Sequence, residues 1–358
     1  MPALESPVIA GHRGFKGKYP ENTLYGFTKC FQGGGEVIET DLWITSDDVV
    51  VVSHDVMTKR LFEEPDGSET DYNLLKTSYA DKLSTLRRIG IDEPMITLTR
   101  LLEWFVSTTK ESGNGSKRLM FDIKRPNPPK IMNHVVETLL AVNNDVEFWR
   151  NRIQFGIWDL KVVKYLNQES YFRETLKDQA FDIIHITLHW KNSLPYLAYN
   201  EYVDRQTAGD GLFRFKTTAV SLLYLSTWSQ DFLDKFMPLI KAEDIKLYEW
   251  TVNSRIQFDY LSRVAALYDL KEYGVVTDYP DKMADLKSST LAKVEPISAV
   301  FPSVFQRVCH FIFERFIART IVPAPAFETK VDANEIVMPE ISKTAMWIFM
   351  FCQRIGLF

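Results

Sequence analysis

Residues Ile9 to Asp55 read IAGHRGFKGKYPENTLYGFTKCFQGGGEVIETDLWITSDDVVVVSHD, and the reading of this stretch decides the fold. A short apolar run, Val8–Ala10, leads into a His-Arg pair, His12 and Arg13. The β-branched run Glu36–Thr45 carries two carboxylates, Glu39 and Asp41, two residues apart. A further strand-like run, Val49–Ser53, closes on His54 and Asp55. Side chains at i and i+2 of a strand share a face, so Glu39 and Asp41 can point at one ion. A hard divalent cation takes such oxygen ligands. A histidine on either side then has the chemistry of a base and an acid about a phosphate held by the metal and Arg13.

Outward from this stretch, the chain of 358 residues is 46% hydrophobic and 25% charged, the composition of a globular protein. That length fits one large domain or two ordinary ones, and α/β barrels often exceed 250 residues as a single domain. A net charge of −5 gives no reason to expect nucleic acid. Cys30, Cys309 and Cys352 are too scattered for a disulfide framework or a zinc site. Residues Met1 to Pro7 lack the basic start and apolar core of a signal peptide. The expectation is an intracellular protein that is not secreted.

Apolar β-rich runs alternate with helical patterns through the centre of the chain, which argues for parallel βα units. The strands expected are Val8–Gly11, Val37–Leu42, Leu119–Ile123, Ile153–Trp158, Asp182–Thr187, Thr218–Leu222, Ile245–Trp250 and Gly274–Thr277. Helices are expected at Asn22–Gln32, Thr97–Thr109, Lys130–Val142, Gln230–Lys241 and Ser254–Tyr268. Eight strands joined by crossovers predict an α/β fold, the TIM (β/α)8 barrel. Each chemistry-bearing motif falls at the C-terminal end of its strand, where such barrels keep their active sites.

His12-Arg13-Gly14, Pro20-Glu21-Asn22-Thr23, Glu39-Thr40-Asp41 and His54-Asp55, in this order and spacing, resemble the glycerophosphodiester phosphodiesterases, whose signature is HRG, PENT, E-x-D, then HD. The match is closer still to the fungal phosphatidylglycerol-specific phospholipase C branch, because of the tail. The resemblance implies the same barrel fold, His12 and His54 as the acid/base pair, and Glu39 and Asp41 as metal ligands. A third ligand is expected from Leu119–Lys124, where the family has E-x-K and this chain has Asp122-x-Lys124. Asp122 keeps the carboxylate but is one methylene shorter, so ligation requires a closer backbone or metal, or a bridging water. Arg13 matches two phosphate oxygens with its fork, and Lys124 adds positive charge for the phosphate. Glu21 and Asn22 are read as supports, and Asn22 also has the chemistry of a helix cap. Trp250-Thr251-Val252-Asn253 resembles the family's W-T-V-N, which implies that Trp250 lines the pocket; Asn253 is read chiefly as a cap. Gly274–Pro280 resembles the family's closing motif, with Asp278 expected to stabilise the loop. His185 and His189 are read as structural.

Val56–Pro94 is too long for an ordinary βα loop and is read as an insertion or lid (residues 56–94) within a barrel of residues 1–290. From residue 291 to 358 the barrel pattern stops. Ser298–Val322 places Phe301, Val304, Val308, Phe311 and Ile312 at helical spacing, with Arg307, Arg315 and Arg319 adding the basic character of interfacial helices. The apolar end from Ala345 is shorter than the about 18 residues of a spanning helix. Together these predict a C-terminal amphipathic and apolar tail, monotopic or peripheral on a cytosol-facing membrane such as endoplasmic reticulum, mitochondrion or lipid droplet. The alternative is a pair of helices packed on the barrel or on a second subunit.

The expected activity is metal-dependent cleavage of phosphatidylglycerol to diacylglycerol and glycerol phosphate, with Mg²⁺ or Ca²⁺ as the ion. Two alternatives stand beside it. One is a soluble glycerophosphodiester phosphodiesterase releasing an alcohol and glycerol 3-phosphate; the other is an inactive barrel that only docks lipid head groups. The substrate and a membrane surface are the partners expected, with no nucleic acid and no protein partner.

Overall fold

A computed structural model of the protein describes residues 6–91, 93–111, 113–176, 181–207, 214–290 and 299–318. Its strands in chain order are β1 (Val8–Gly11), β2 (Val37–Ile44), β3 (Val50–Val52), β4 (Phe62–Glu63), β5 (Arg87–Arg88), β6 (Arg118–Ile123), β7 (Ile153–Ile157), β8 (Asp182–Thr187), β9 (Ala219–Leu223), β10 (Lys246–Trp250) and β11 (Tyr273–Thr277). One sheet runs in the order β1-β11-β10-β9-β8-β7-β6-β2, and β1 pairs also with β2, which closes it into an eight-stranded α/β barrel. Each of these strands is followed by a helix, at Leu24–Gln32, Leu98–Thr109, Ile131–Val142, Leu160–Gln168, Leu194–Thr207, Met237–Ala242, Arg255–Leu267 and Pro280–Thr290. The eight expected strands are present within a residue or two of their expected bounds. The Gln230–Lys241 helix differs, since Phe232–Phe236 is wound as a π-helix before the α-helix at Met237–Ala242.

The contacts divide the chain into two compact units. The first comprises Ala10–Asp182 and Asp278–Asp281. Within it β3 folds back antiparallel on β2, with Leu42 opposite Val52. The residues after β3 build a small body of their own. Leu61, Phe62, Leu74, Leu83 and Leu86 are buried together with Trp43 and Val51, and β4 pairs antiparallel with β5. Asp47 staples this body to the β2–β3 turn, accepting hydrogen bonds from the hydroxyls of Thr45 and Ser78 and the backbone N–H groups of Tyr79 and Ala80.

The second unit comprises Met1–Ile9, Ile183–Thr277 and Lys282–Phe358. Its core joins Val220, Leu222, Leu247 and Val275 of the strands to Phe232, Phe236, Phe258, Leu261 and Val264 of the helices. Strand alternation puts Glu249 on the same face as Leu247, turned into that apolar layer. Glu249 is fully buried, and among the described residues no donor is well placed for a hydrogen bond to either carboxylate oxygen. Burial pushes its carboxyl up to about 8, with Thr227 offsetting only part of the effect. A carboxyl whose folded-state value lies above its ordinary one binds a proton that the unfolded chain has lost. Stability is therefore fully present below about pH 4.5 and falls by about 1.4 kcal/mol per unit up to about pH 8. Glu249→Gln should remove that slope, giving a protein no more stable at pH 4.5 but several kcal/mol more stable at pH 8. Urea unfolding of both proteins at a series of pH values checks this, and parallel curves would contradict it.

The last described helix, Val304–Ile312, belongs to this unit and continues in the π-helical turn Phe313–Ala318. Gln306 and Phe313 are turned inward and buried. His310 donates from Nδ1 to the Leu225 carbonyl at 2.9 Å, and His189 donates from Nε2 to Glu314 at 2.7 Å. The opposite face carries Val304, Phe305, Val308, Phe311 and Ile312, and Phe301 lies just before the helix, each of the six 49–69% exposed. Among the described residues the helix is thus held to its unit by the side that carries Gln306, His310, Phe313 and Glu314, and its other, apolar side is left exposed. None of the described helices is long and apolar enough to cross a membrane. Residues 319–358, including the apolar end from Ala345, lie outside the described residues, as do 291–298.

Candidate active site

The carboxylates are brought together by strand register. Glu39 and Asp41 alternate onto one face of β2, and β6 pairs with β2 in parallel so that Asp41 lies opposite Asp122. All three are buried, and they offer oxygens within 4.8 Å of one another. Oxygens bound to one cation at about 2.3–2.6 Å can be no farther apart than roughly twice that, so the three fit a hard divalent ion. The shorter Asp122 reaches the cluster without a backbone detour. Trp158 Nε1 donates to its Oδ1 at 2.7 Å and Lys124 Nζ to its Oδ2 at 2.7 Å, which fixes the carboxylate plane.

Charge in the cluster is uneven. Burial, and then repulsion from Asp41 and Asp122, push the Glu39 carboxyl well above the usual range. Burial also opposes charge on Asp41, but Lys124, His54 and Arg13 together outweigh it and hold that group ionised. Lys124 Nζ lies 2.6 Å from Asp41 Oδ1, so the ammonium expected to meet phosphate is seated between two of the three acids.

Arg13 and Asn22 both adopt left-handed backbone, with φ of 50° and 55°, a costly conformation for residues other than glycine. The Arg13 turn lets its backbone N–H donate to Glu39 Oε2 at 2.8 Å. Its guanidinium lies 3.3 Å from Glu21 and 3.7 Å from Asp41, and its Nε is a buried donor with no hydrogen-bond partner among the described residues. Donor capacity is therefore left for a phosphoryl oxygen. Asn22 does not cap the first helix. That helix starts at Leu24, and Thr23 is its cap, accepting from the Gly26 N–H at 3.0 Å. Asn22 instead donates to Asp41 Oδ2 and accepts from Thr40 Oγ1, both at 2.8 Å, and so braces a carboxylate of the cluster. The left-handed backbone explains the difference, because a cap needs the extended conformation that Thr23 has.

Each of the two site histidines has a carboxylate behind it. His12 Nδ1–H donates to Asp278 Oδ1 at 2.7 Å, and His54 Nδ1–H to Asp55 Oδ1 at 2.6 Å. This arrangement selects the tautomer in which Nε2 carries the lone pair that can exchange a proton with substrate. Burial, then Arg13, hold both imidazoles below the usual histidine range, His54 the more strongly. His54 is brought to the cluster by β3, since the Ser53 N–H donates to the Asp41 carbonyl at 3.1 Å and Trp43 Nε1 to the His54 carbonyl at 3.3 Å.

Trp250 belongs to the other unit, where it ends β10 partly exposed and donates from Nε1 to the Ser221 carbonyl at 3.0 Å. Asn253 is not the cap of the next helix. Ser254 is, in a capping box with Gln257, while Asn253 accepts from Thr277 Oγ1 at 3.1 Å. His185 stacks on Tyr196 and bonds Ser193, a structural setting, as is that of His189 on Glu314. Asp55, Arg60, Trp158 and Asp278 join the site although nothing assigned them a direct part in it. Asp55 and Asp278 had a signal, each standing in a motif at a strand end, and Arg60 and Trp158 had none.

The model of the glycerophosphoryl diester phosphodiesterase family matches residues 12–282. A human lysophospholipase D is 24% identical over 292 residues, covering 76% of this chain and 84% of its own. A glycerophosphodiester phosphodiesterase of Bacillus altitudinis is 44% identical over 52 residues, 14% of this chain and 21% of its own. Among solved structures, a glycerophosphoryl diester phosphodiesterase from Silicibacter pomeroyi shares the fold with a TM-score of 0.56 at 19% identity, over 80% of this chain and 95% of that one. A phosphodiesterase from Oleispira antarctica, in complex with the product sn-glycerol-3-phosphate, does so with a TM-score of 0.55 at 18% identity, over 79% and 97%. The match extends across the barrel from the first histidine to beyond its last strand, and the chain belongs to the glycerophosphoryl diester phosphodiesterase family, hydrolases of phosphoric diesters.

Proposed function

We propose that this phosphodiesterase cleaves phosphatidylglycerol at a membrane surface, releasing diacylglycerol and glycerol phosphate, as the fungal phosphatidylglycerol-specific phospholipase C branch does. The observation that carries the proposal is the exposed apolar face of Val304–Ile312 and Phe301, which a water-soluble substrate gives no reason to keep and a lipid interface covers. The barrel then works as a peripheral or monotopic enzyme on a cytosol-facing membrane, with residues 56–94 as the lid over its site.

Glu39, Asp41 and Asp122 would hold the divalent cation, Mg²⁺ or Ca²⁺. When bound, that ion supplies a Lewis acid for the phosphoryl oxygens. Arg13 takes a phosphoryl oxygen with its unpartnered donor and steadies the charge that develops there. Lys124 adds a second positive charge. One histidine enters neutral and accepts the nucleophile's proton at Nε2, and the other enters protonated at Nε2, its charge balanced by the carboxylate at its Nδ1, and delivers that proton to the departing alkoxide. The nucleophile is either the glycerol hydroxyl of the substrate, giving a cyclic phosphate that water opens, or water itself.

The second reading is hydrolysis of a soluble glycerophosphodiester to an alcohol and glycerol 3-phosphate. The product held by the Oleispira antarctica enzyme favours it. The test presents phosphatidylglycerol in mixed micelles and, separately, glycerophosphocholine in solution, each with Mg²⁺, Ca²⁺ or EDTA. Diacylglycerol from the first, lost in EDTA, is the expected result. Phe305→Glu with Phe311→Glu should raise KM for the micellar substrate and leave kcat unchanged. Turnover of glycerophosphocholine alone would overturn the lipid reading.

A further inference from the structure

Arg60 lies in the body formed by residues 56–94, on the 3-10 turn Thr58–Arg60. The turn is fixed from within that body. The Thr58 N–H donates to the Tyr72 carbonyl, the Tyr72 N–H to Thr58 Oγ1, and Leu61 and Phe62 are buried directly after Arg60. Its guanidinium leaves the body and spans two carboxylates. Nε donates to Asp55 Oδ2 at 2.6 Å, Nη2 to Asp55 Oδ1 at 3.0 Å, and Nη2 also to Glu21 Oε1 at 2.8 Å. Each carboxylate is shared with a group of the site. Asp55 Oδ1 accepts from His54 Nδ1, and Glu21 is the counter-ion of Arg13. An unbroken line of hydrogen bonds and ion pairs therefore runs from His54 through Asp55, Arg60 and Glu21 to Arg13.

We propose that Arg60 is a positioning residue that sets the orientation of both His54 and Arg13, tying the folded state of the 56–94 body to the competence of the site. The proposal rests on the parts assigned above to His54 and Arg13. A carboxylate can rotate about its own axis, and the two-point grip of a planar guanidinium on Asp55 stops that rotation. Oδ1 is then left facing His54 Nδ1, which keeps the ring in a single tautomer with Nε2 turned to its work. On the other carboxylate, the 2.8 Å bond from Arg60 contrasts with the 3.3 Å contact from Arg13. Arg60 holds Glu21 in place, so Glu21 steadies Arg13 without closing on it, and Arg13 keeps a donor for phosphate. Lysine carries the same charge but cannot make this fork.

The test compares wild type with Arg60→Ala and Arg60→Lys by steady-state kinetics and by ¹⁵N NMR of the histidine rings. Half of the Arg60 side chain is exposed, so both variants should keep cooperative unfolding. Arg60→Ala is expected to lower kcat about 10- to 100-fold, the usual cost of losing a group that orients another, with little change in KM. The His54 ring signals should move from a single Nδ1–H tautomer to an exchanging mixture. Arg60→Lys should recover only part of kcat. In a His54→Ala background, Arg60→Ala should cost less than it does in the wild type, since one of its two targets is gone. Unchanged His54 resonances, whatever happens to kcat, would overturn the proposal. So would a rise in KM alone, which would make Arg60 a substrate contact, or full recovery with lysine. The ring spectra do not depend on turnover, so an enzyme that hydrolyses neither substrate above would refute the proposed function while the spectra still decide the part played by Arg60.

Discussion

His54→Ala lowers kcat by about a hundred- to ten-thousand-fold, the range that a positioned acid or base contributes, and leaves the folded protein intact. The leaving group in cleavage of an alkyl phosphodiester is an alkoxide, which departs poorly unless it is protonated, and the attacking hydroxyl is a poor nucleophile unless it is deprotonated. His54 is equipped for one of these transfers. Its Nδ1 is committed to Asp55 at 2.6 Å, and burial holds the imidazole well below the usual histidine range, with Nε2 as the working atom. His12, committed in the same way to Asp278, should show a loss of the same order. Release of glycerol phosphate across a range of pH measures the effect, and thermal unfolding shows that the barrel survives. Near-normal turnover in either variant would remove that histidine from the reaction.

The second large effect is expected at Asp41, and it has two parts. Lys124 lies 2.6 Å from Oδ1, Arg13 lies 3.7 Å from Oδ2, and Asn22 donates to Oδ2 at 2.8 Å. Asp41→Asn takes a charged oxygen from the three-carboxylate cluster and leaves two buried cations short of a counter-ion. Removing one partner from a buried ion pair costs about 3–5 kcal/mol. A variant that loses that much stability and all metal-dependent turnover, without recovery at millimolar Mg²⁺ or Ca²⁺, is the expected result. Glu39→Gln is the informative companion. Its carboxyl is already driven toward the neutral form by burial and by its neighbours, so the substitution should cost far less stability while still weakening divalent-ion binding. Calorimetric titration with Mg²⁺ and Ca²⁺, beside urea unfolding, separates the two parts. Equal stability losses at the two positions would contradict this division of charge.

What the sequence makes legible follows from the range of the interactions involved. The eight parallel strands are short apolar runs bounded by turns, a local pattern, and they lie within a residue or two of where that pattern puts them. Glu39 and Asp41 share a face because a strand has a period of two, again a local property. Asp122 joins them through the register of β6 on β2, which the spacing of the motifs anticipates without fixing it. The groups behind the histidines are another matter. Asp278 meets His12 from 266 positions away. Arg60 meets Glu21 across 39 positions, out of a polar stretch whose fold no periodicity reveals. Asn22 supports the site as its motif implies, and only its reading as a helix cap fails, for a local reason. It stands next to the true cap, and only the backbone angle at Thr23 separates a cap from its neighbour. The Val304–Ile312 helix shows the limit of amphipathic patterns, since they mark two faces without saying which one turns inward. Here the side with His310, Phe313 and Glu314 is held, and among the described residues the side with Phe305 and Phe311 is exposed. Glu249 carries no mark at all, because an acid in an apolar strand reads the same whether it faces solvent or a helix layer.

The central claim is that Glu39, Asp41 and Asp122, with His12 and His54 beside them, form the site of a metal-dependent phosphodiesterase. The most direct measurement is ³¹P NMR of phosphatidylglycerol micelles and of glycerophosphocholine incubated with protein stripped by EDTA, before and after adding back one divalent cation. No new resonance without the ion, and a glycerol phosphate signal from at least one substrate after its return, is the result this account predicts. Hydrolysis at full rate in the stripped protein, or none with any divalent ion, would contradict it.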